Sequence, residues 1–303
     1  MTFLTCLFQM FALLIMIGVG VLAARLDWLD DHANAKMSKM IVKIFNPLLA
    51  LSGAANAVGQ VSLDTLKLVF FVAVGMFTSF ILIAALIARF FDKDAVQERI
   101  YKLMFVFPNC GFIGIPVVSS LLGQEYIVYV SIFVLVFNLY FYTYGVAMLD
   151  GKFSLKSLKS LNNPGMYCCI LGLLLIVFSV RLPDFLMTAL DSLANCASPL
   201  ALMTVGYSLY HTDLKAVFKM PRLYVFSALK LLVIPLLALP ILRLLPLGND
   251  LLVLVMIMFG MPVGNMPLIL AAERGIDCSV CSAAIMMTTV LCVVTVPILM
   301  AIV

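Results

Sequence analysis

The sequence predicts an all-α polytopic membrane protein of ten transmembrane helices, arranged as two five-helix halves in an inverted repeat. Three observations carry that prediction. The composition is 64% hydrophobic and 11% charged, with a mean hydropathy of +1.17, where a soluble domain has about 25% charged residues. The apolar residues fall into runs long enough to cross a bilayer, which takes about 20 residues as a helix. Two of those runs are interrupted mid-way by proline, glycine and asparagine, at comparable places in the two halves.

The expected spans are 2–24, 36–57, 65–91, 98–121, 125–149, 164–181, 185–210, 222–245, 250–272 and 278–302. Charged clusters punctuate the gaps, among them Asp27, Asp30, Asp31 and His32, then Asp92, Lys93 and Asp94, then Asp150, Lys152, Lys156 and Lys159. Sorting the 19 Lys and Arg residues by alternate loops leaves only Lys67, Arg181 and Arg243 on the minority side. The basic side faces the cytoplasm, so both termini are expected to be extracytoplasmic, in a plasma (cytoplasmic, inner) membrane. The chain starts without the basic region of a cleaved signal, and residues 1 to about 24 read as a retained first span.

Most of the eight cysteines fall inside apolar runs, where a thiol behaves as a small hydrophobe. Cys278 and Cys281 form a C-x-x-C with no second pair and no nearby histidine, which argues against zinc. One tryptophan and two histidines leave little for haem or metal chemistry. No cofactor or metal site is expected, and the partners are the lipid bilayer and a small molecule, not nucleic acid.

The repeat is read from landmarks. Asn46-Pro47-Leu48-Leu49-Ala50-Leu51 resembles Ser198-Pro199-Leu200-Ala201-Leu202, with the prolines 152 positions apart; Pro116 and Pro267 are 151 apart, and Gly123 and Gly275 are 152 apart. Arg25-Leu26-Asp27 also echoes Arg181-Leu182-Pro183-Asp184, at a spacing that needs a gap. The halves are then 1–149 and 164–303, joined by a short cytoplasmic linker at 150–163. Five spans is an odd number, so the second half enters the membrane upside down.

The breaks are Pro108-Asn109-Cys110-Gly111-Phe112-Ile113-Gly114-Ile115-Pro116 and Met261-Pro262-Val263-Gly264-Asn265-Met266-Pro267. Proline removes a backbone donor and glycine permits non-helical geometry. In lipid, freed peptide groups survive only where protein or a polar cavity satisfies them. Paired breaks at mid-membrane therefore point to a transporter's binding site. Pro116 and Pro267 suit the first turn of a second half-helix, and half-helix N-termini favour a carboxylate. The substrate-binding set is Asn109, Cys110, Gly111, Gly114 and Pro116 with Pro262, Gly264, Asn265 and Pro267. The two asparagines offer both donor and acceptor, with capping of the broken helices as their alternative role.

Elsewhere, Lys43, Asp191 and Lys230 are the ionisable groups drawn closest to the membrane interior. Both lysines are expected to snorkel to the cytoplasmic edge. Asp191 and Lys230 are also the candidates for coupling, with Glu273 a further proton site; coupling to sodium or protons stays open. The aromatic residues of the fifth span, from Tyr126 to Tyr144, read as packing and interfacial anchors. Gly18 and Gly20 permit close helix approach.

The N-x-G-F-x-G-x-P core from Asn109 to Pro116, the S-P-L-A-L-x-x-x-G of Ser198 to Gly206 and the Met-Pro segment beginning at Met261 resemble the auxin efflux carrier family, across essentially the whole chain. That family contains plant PIN-type auxin exporters and bacterial permeases for malate and other organic acids. The resemblance implies an antiporter/bile-acid-transporter-like fold in which broken helices 4 and 9 cross. It also implies a scaffold of spans 1, 2, 6 and 7, a transport domain of spans 3–5 and 8–10, elevator-type alternating access, and a homodimer formed through the scaffold. On the scaffold side, Asn46, Ser52, Asn195 and Ser198 then either line the cavity or bond between helices. The long cytoplasmic loop of many plant members is missing here, which marks a compact bacterial-type member.

The expected function is secondary transport of a small organic anion, a carboxylate, held at the crossing, and not catalysis. A polytopic enzyme would need apposed carboxylates, a His-rich metal site or a Ser/His pair at membrane depth, and the two histidines fall in loops. A non-transporting sensor on the same fold is the alternative; a cation-coupled antiporter is the weaker one, since paired mid-membrane aspartates are lacking.

Overall fold

The computed structural model describes residues 3–150, 164–211, 217, 219–277 and 279–303. Among them there are helices and no strand. In chain order the helices are α1 (Phe3–Arg25), α2 (Asp31–Met40), α3 (Asn46–Asn56), α4 (Leu63–Phe91), α5 (Ala95–Val106), α6 (Ile115–Leu122), α7 (Ile127–Tyr140) and α8 (Val146–Asp150). After the linker come α9 (Pro164–Val177), α10 (Asp184–Ala194), α11 (Ala197–Tyr210), α12 (Pro221–Ala228), α13 (Ile234–Leu242), α14 (Asn249–Phe259), α15 (Met266–Glu273) and α16 (Ser279–Ile302).

Five stretches are long and apolar enough to cross a membrane: Leu63–Phe91, Gln124–Leu149, Asp184–Tyr210, Pro221–Leu242 and Ser279–Ile302. Four shorter apolar helices are Phe11–Arg25, Cys110–Leu122, Pro164–Val177 and Asn249–Phe259. The second expected span, 36–57, is in neither group, because Lys36, Lys39, Lys43 and Asn46 dilute its apolar run. The protein is thus a helical membrane protein.

Proline shapes these helices in a recurrent way. Pro47, Pro116 and Pro235 each stand two residues past a wide π-helical turn, at Ile41–Phe45, Cys110–Gly114 and Leu229–Val233. In each turn the last N–H before the proline reaches back five residues: Asn46 to Ile41, Ile115 to Cys110, Ile234 to Leu229. A proline ring clashes with the carbonyl four residues back and has no N–H to offer it; widening the turn relieves the clash and keeps the helix running. Pro199 is handled differently. The expected span 185–210 breaks at Asn195 and Cys196, between α10 and α11, because Pro199 cannot donate to the carbonyl of Asn195.

Several local geometries recur at a spacing of 152 residues. Among the described residues, Asp27 and Ser179 are the non-glycine residues with positive φ, at 54° and 53°. Both close helices with the same bonds: Trp28 to Ala23 and Asp27 to Ala24 in one case, Val180 to Leu175 and Ser179 to Ile176 in the other. Gly123 and Gly275 also share positive φ, at 111° and 66°. The Arg25–Arg181 echo is therefore off by four residues: the matched turn aligns Asp27 with Ser179.

The helix pairing follows the same spacing. Gly20 of α1 lies against the backbone of Met203 in α11, and Gly206 against that of Ile17, with no room for a Cβ at either. Gly172 of α9 lies against Ala54 and Leu51 of α3. Among the described residues these two helix pairs share the most extensive contacts. Gly20 thus serves a contact inside the chain; Gly18 faces open space.

Aromatic rings fill the interior around the first break. Phe107 meets Phe137 and Phe141 edge to face at 5.4 and 5.0 Å, Phe105 lies 4.4 Å from Phe226, and Phe80 lies 5.3 Å from Phe259. Each such pair adds about 0.5–1.5 kcal/mol beyond area burial. Phe133, Phe137 and Phe141 of the fifth expected span are buried packing residues.

Candidate functional site

Helix α5 stops at Val106 because Pro108 cannot continue it, and Phe107, as the residue before a proline, turns out of helical geometry at φ −110°, ψ 88°. The second interruption runs from Gly260 to Asn265, between α14 and α15. The two interruptions meet. Pro108 and Val263 form an antiparallel β-bridge; the N–H of Asn109 donates to the carbonyl of Pro262 at 2.7 Å, and that of Gly264 donates to the carbonyl of Phe107 at 2.9 Å. Main-chain groups freed by one break are satisfied by the other, as a water-free interior demands. The approach is close: a Cβ at Gly264 would stand 3.1 Å from the carbonyl oxygens of both Phe107 and Pro108.

Asn109 organises the first break. Its Oδ1 accepts from the N–H of Phe112 at 3.0 Å, capping the half-helix that begins at Cys110, and its own carbonyl accepts from Gly114 at 2.9 Å. The residue is 4% exposed, and its Nδ2 is buried without a hydrogen-bond partner. An amide donor left unpaired in a buried place costs about 1–3 kcal/mol, so it is either a liability or a binding group. The half-helix therefore starts at Cys110 and not at Pro116, which lies in the first turn of α6. Pro267 does occupy the first turn of α15, behind Asn265, whose carbonyl accepts from Ile269 at 3.0 Å.

Two side chains outside the expected substrate-binding set complete the break, Thr288 and the coupling candidate Lys230. The N–H of Val263 donates to Oγ1 of Thr288 in α16 at 3.1 Å, and that hydroxyl donates to the carbonyl of Ala284 at 2.6 Å. In an unbroken helix the carbonyl of Phe105 would accept from the N–H at 109, which is spent on Pro262. Lys230 takes its place, donating from Nζ at 2.5 Å. The ammonium also sits 4.1 Å from the centre of the Phe80 ring, and the side chain is 0% exposed. Snorkelling is thus wrong for Lys230: the orphaned carbonyl at the end of α5 and an aromatic face hold its side-chain nitrogen inside. Lys43 is exposed.

A model of the family described as membrane transport protein matches residues 5–156 and 152–300. The chain belongs to the auxin efflux carrier family of membrane transport proteins. A comparison with curated proteins finds no match.

In this auxin efflux carrier family member the remaining expected residues distribute as follows. Cys110, Gly114, Pro116, Pro262, Gly264 and Pro267 are buried at the paired breaks, and Gly111 and Asn265 are half-buried there. Gly114 approaches Met258, whose Cε would be 3.1 Å from an added Cβ. Of the four residues from the second and seventh spans, Asn46 reaches the break, with its Nδ2 3.5 Å from where a Cβ on Gly111 would be. Ser198 is half-buried in α11, which packs on the Cys110–Gly114 turn. Ser52 instead donates to Oδ1 of Asp191 at 2.5 Å, joined by Asn56 at 3.3 Å, tying α3 to α10. Asn195 accepts from Gln124 at 3.4 Å. The side chain of Glu273, together with Cys278 and the linker lysines, lies outside the described residues.

Proposed function

We propose that the protein is a secondary transporter of small organic anions, carboxylates in particular, which bind where helices 4 and 9 cross and move by elevator-type alternating access. The observation that carries this reading is the pairing of Asn109 with Pro262 and Gly264 with Phe107 beside an unpartnered, buried Asn109 amide. The buried Lys230 adds a second donor group at the carbonyl of Phe105, four residues before Asn109, with no paired carboxylate among the described residues. First helical turns, with N–H groups lacking helical acceptors, add further positive potential. A carboxylate would complete Asn109 and balance Lys230 together.

The ten-span inverted repeat is part of the proposal. Its support is the 152-residue spacing shared by the Asp27 and Ser179 turns, the Gly123 and Gly275 turns, and the Gly20 and Gly172 contacts. We assign α1–α3 and α9–α11 to the scaffold, on which a homodimer forms, and α4–α8 and α12–α16 to the moving body. Between the two coupling candidates, the geometry favours Lys230, which touches the break; Asp191 is engaged in tying α3 to α10.

The test is a ligand-stabilisation screen of the purified protein against mono- and dicarboxylates, amino acids and indole acids, with and without sodium. Stabilisation by a carboxylate, followed by its uptake into proteoliposomes, is expected. Stabilisation without uptake turns the reading into a sensor, and stabilisation by cations alone overturns the anion assignment.

A further inference from the structure

We propose that the outer face of α2 and the wide turn after it forms a binding site for an anionic phospholipid, with the lipid phosphate held by Lys36, Lys39 and Lys43 and its chains lying along Met40, Val42 and Ile44. All six side chains are exposed. The opposite face of this segment is spoken for: Ala33 and Met37 pack against Ala23, Ala24, Leu29 and Tyr207, and Ile41 is fully buried. Residues 36, 39 and 43 therefore form one stripe pointing away from the protein body.

Pro47 contributes to the stripe. The wide turn at Ile41–Phe45 that accommodates this proline advances less around the axis per residue than an α-helix does. Lys43 consequently falls nearly beneath Lys39 and does not rotate past it. From Lys36 to Lys43 the chain drops about 10 Å at the helical rise, bringing a fixed charge down to the level of exposed Met40, Val42 and Ile44. A lone ammonium among lipid-facing apolar side chains is costly, whereas three in a column around one phosphate are stabilised.

Among the described residues, none of the three lysines is in an ion pair. The ion pairs among the described residues are Lys67 with Asp64, Lys102 with Glu98 and Arg222 with Asp92. Of the acids at the start of α2, Asp30 caps the helix through Ala33, and Asp31 accepts from the hydroxyl of Tyr207 at 2.7 Å. On a lipid-facing flank, the anion within reach of three exposed lysines is a headgroup phosphate.

Native mass spectrometry of the full-length protein, reloaded with an equimolar mixture of phosphatidylglycerol and phosphatidylethanolamine, tests the site. The unaltered protein should retain phosphatidylglycerol preferentially. The triple variant Lys36→Gln, Lys39→Gln, Lys43→Gln should lose at least about tenfold of that preference, at the usual worth of a juxtamembrane lysine. The corresponding triple arginine variant should keep it. Lys67→Gln, which removes a lysine already paired with Asp64, should leave it unchanged. A triple glutamine variant with undiminished preference overturns the proposal, as does an equal loss in Lys67→Gln, which would reduce the effect to net charge. If the triple variant does not fold, Lys43→Gln alone must show a partial loss for the proposal to stand.

Discussion

The ammonium of Lys230 donates to the carbonyl oxygen of Phe105 at 2.5 Å, joining residues 125 positions apart at the end of a helix that Pro108 has cut short. The pairing answers two needs at once. The orphaned carbonyl gains a donor, and the buried amine of Lys230 gains an acceptor. Lys230→Met should weaken organic-anion binding at least about tenfold, since a unit charge lost close to the ligand in a partly desolvated site is worth more than ~1.4 kcal/mol. Lys230→Arg should retain part of it. Calorimetric titration of both variants, with the oligomeric profile as the check on folding, decides this; unaltered affinity in Lys230→Met would remove the lysine from the site.

Asn109 separates capping from binding. Asn109→Asp keeps the oxygen that accepts from Phe112 but replaces the unpartnered amide with a second carboxylate oxygen. Its melting temperature should stay near that of the unaltered protein while anion uptake is abolished. Asn109→Ala loses the cap as well, at about 1 kcal/mol. Asn265→Ala should lower uptake with little effect on stability, because Asn265 holds Ile269 through its backbone carbonyl.

Close backbone approach makes Gly264 sensitive. A methyl group there meets the carbonyls of Phe107 and Pro108 at 3.1 Å, and neither oxygen has a flexible side chain's freedom to withdraw. Gly264→Ala should cost about 1–3 kcal/mol, read as a fall in thermal midpoint in detergent. Gly18→Ala, facing open space, should be neutral or slightly stabilising.

The two turn glycines should respond differently to asparagine. Gly275, at φ 66°, lies in the left-handed region that asparagine tolerates. Gly123, at φ 111° and ψ 168°, lies where only glycine is comfortable. Gly275→Asn should fold normally, whereas Gly123→Asn should lose about 1–3 kcal/mol; equal thermal midpoints would contradict the assigned backbone geometry.

Asp191 is expected to act structurally. Asp191→Asn retains an oxygen for Ser52 and should leave the pH profile of uptake unchanged. Asp191→Ala orphans the buried Ser52 hydroxyl and should cost about 1–3 kcal/mol in stability. A flattened pH profile in Asp191→Asn would return this residue to the coupling mechanism.

What the sequence made legible was whatever depends on local chemistry. Hydropathy announced a helical membrane protein, and Pro108, Gly111, Pro262 and Gly264 announced the interruptions, because a missing donor or a missing Cβ acts at its own position. The cap supplied by Asn109 was readable for the same reason. Lys230 was misread because its alternative to the membrane edge is a carbonyl on another helix, vacated by a proline three residues beyond it. Thr288 was missed because nothing local distinguishes it from other threonines in α16. The wide turns before Pro47, Pro116 and Pro235 escaped because proline permits either a widened turn or an interruption, and its own position does not say which, as the different turn before Pro199 illustrates.

The seam between the two interruptions is sewn with peptide groups, two strands of bare main chain sharing donors and acceptors. Gly264 apart, where a Cβ does not fit, stitches of that kind use no side-chain atom. On the proposed function, mutation can therefore exchange side chains such as that of Asn109, whose main-chain N–H makes the join, without unpicking it, which would give one architecture a ready route from one cargo to the next.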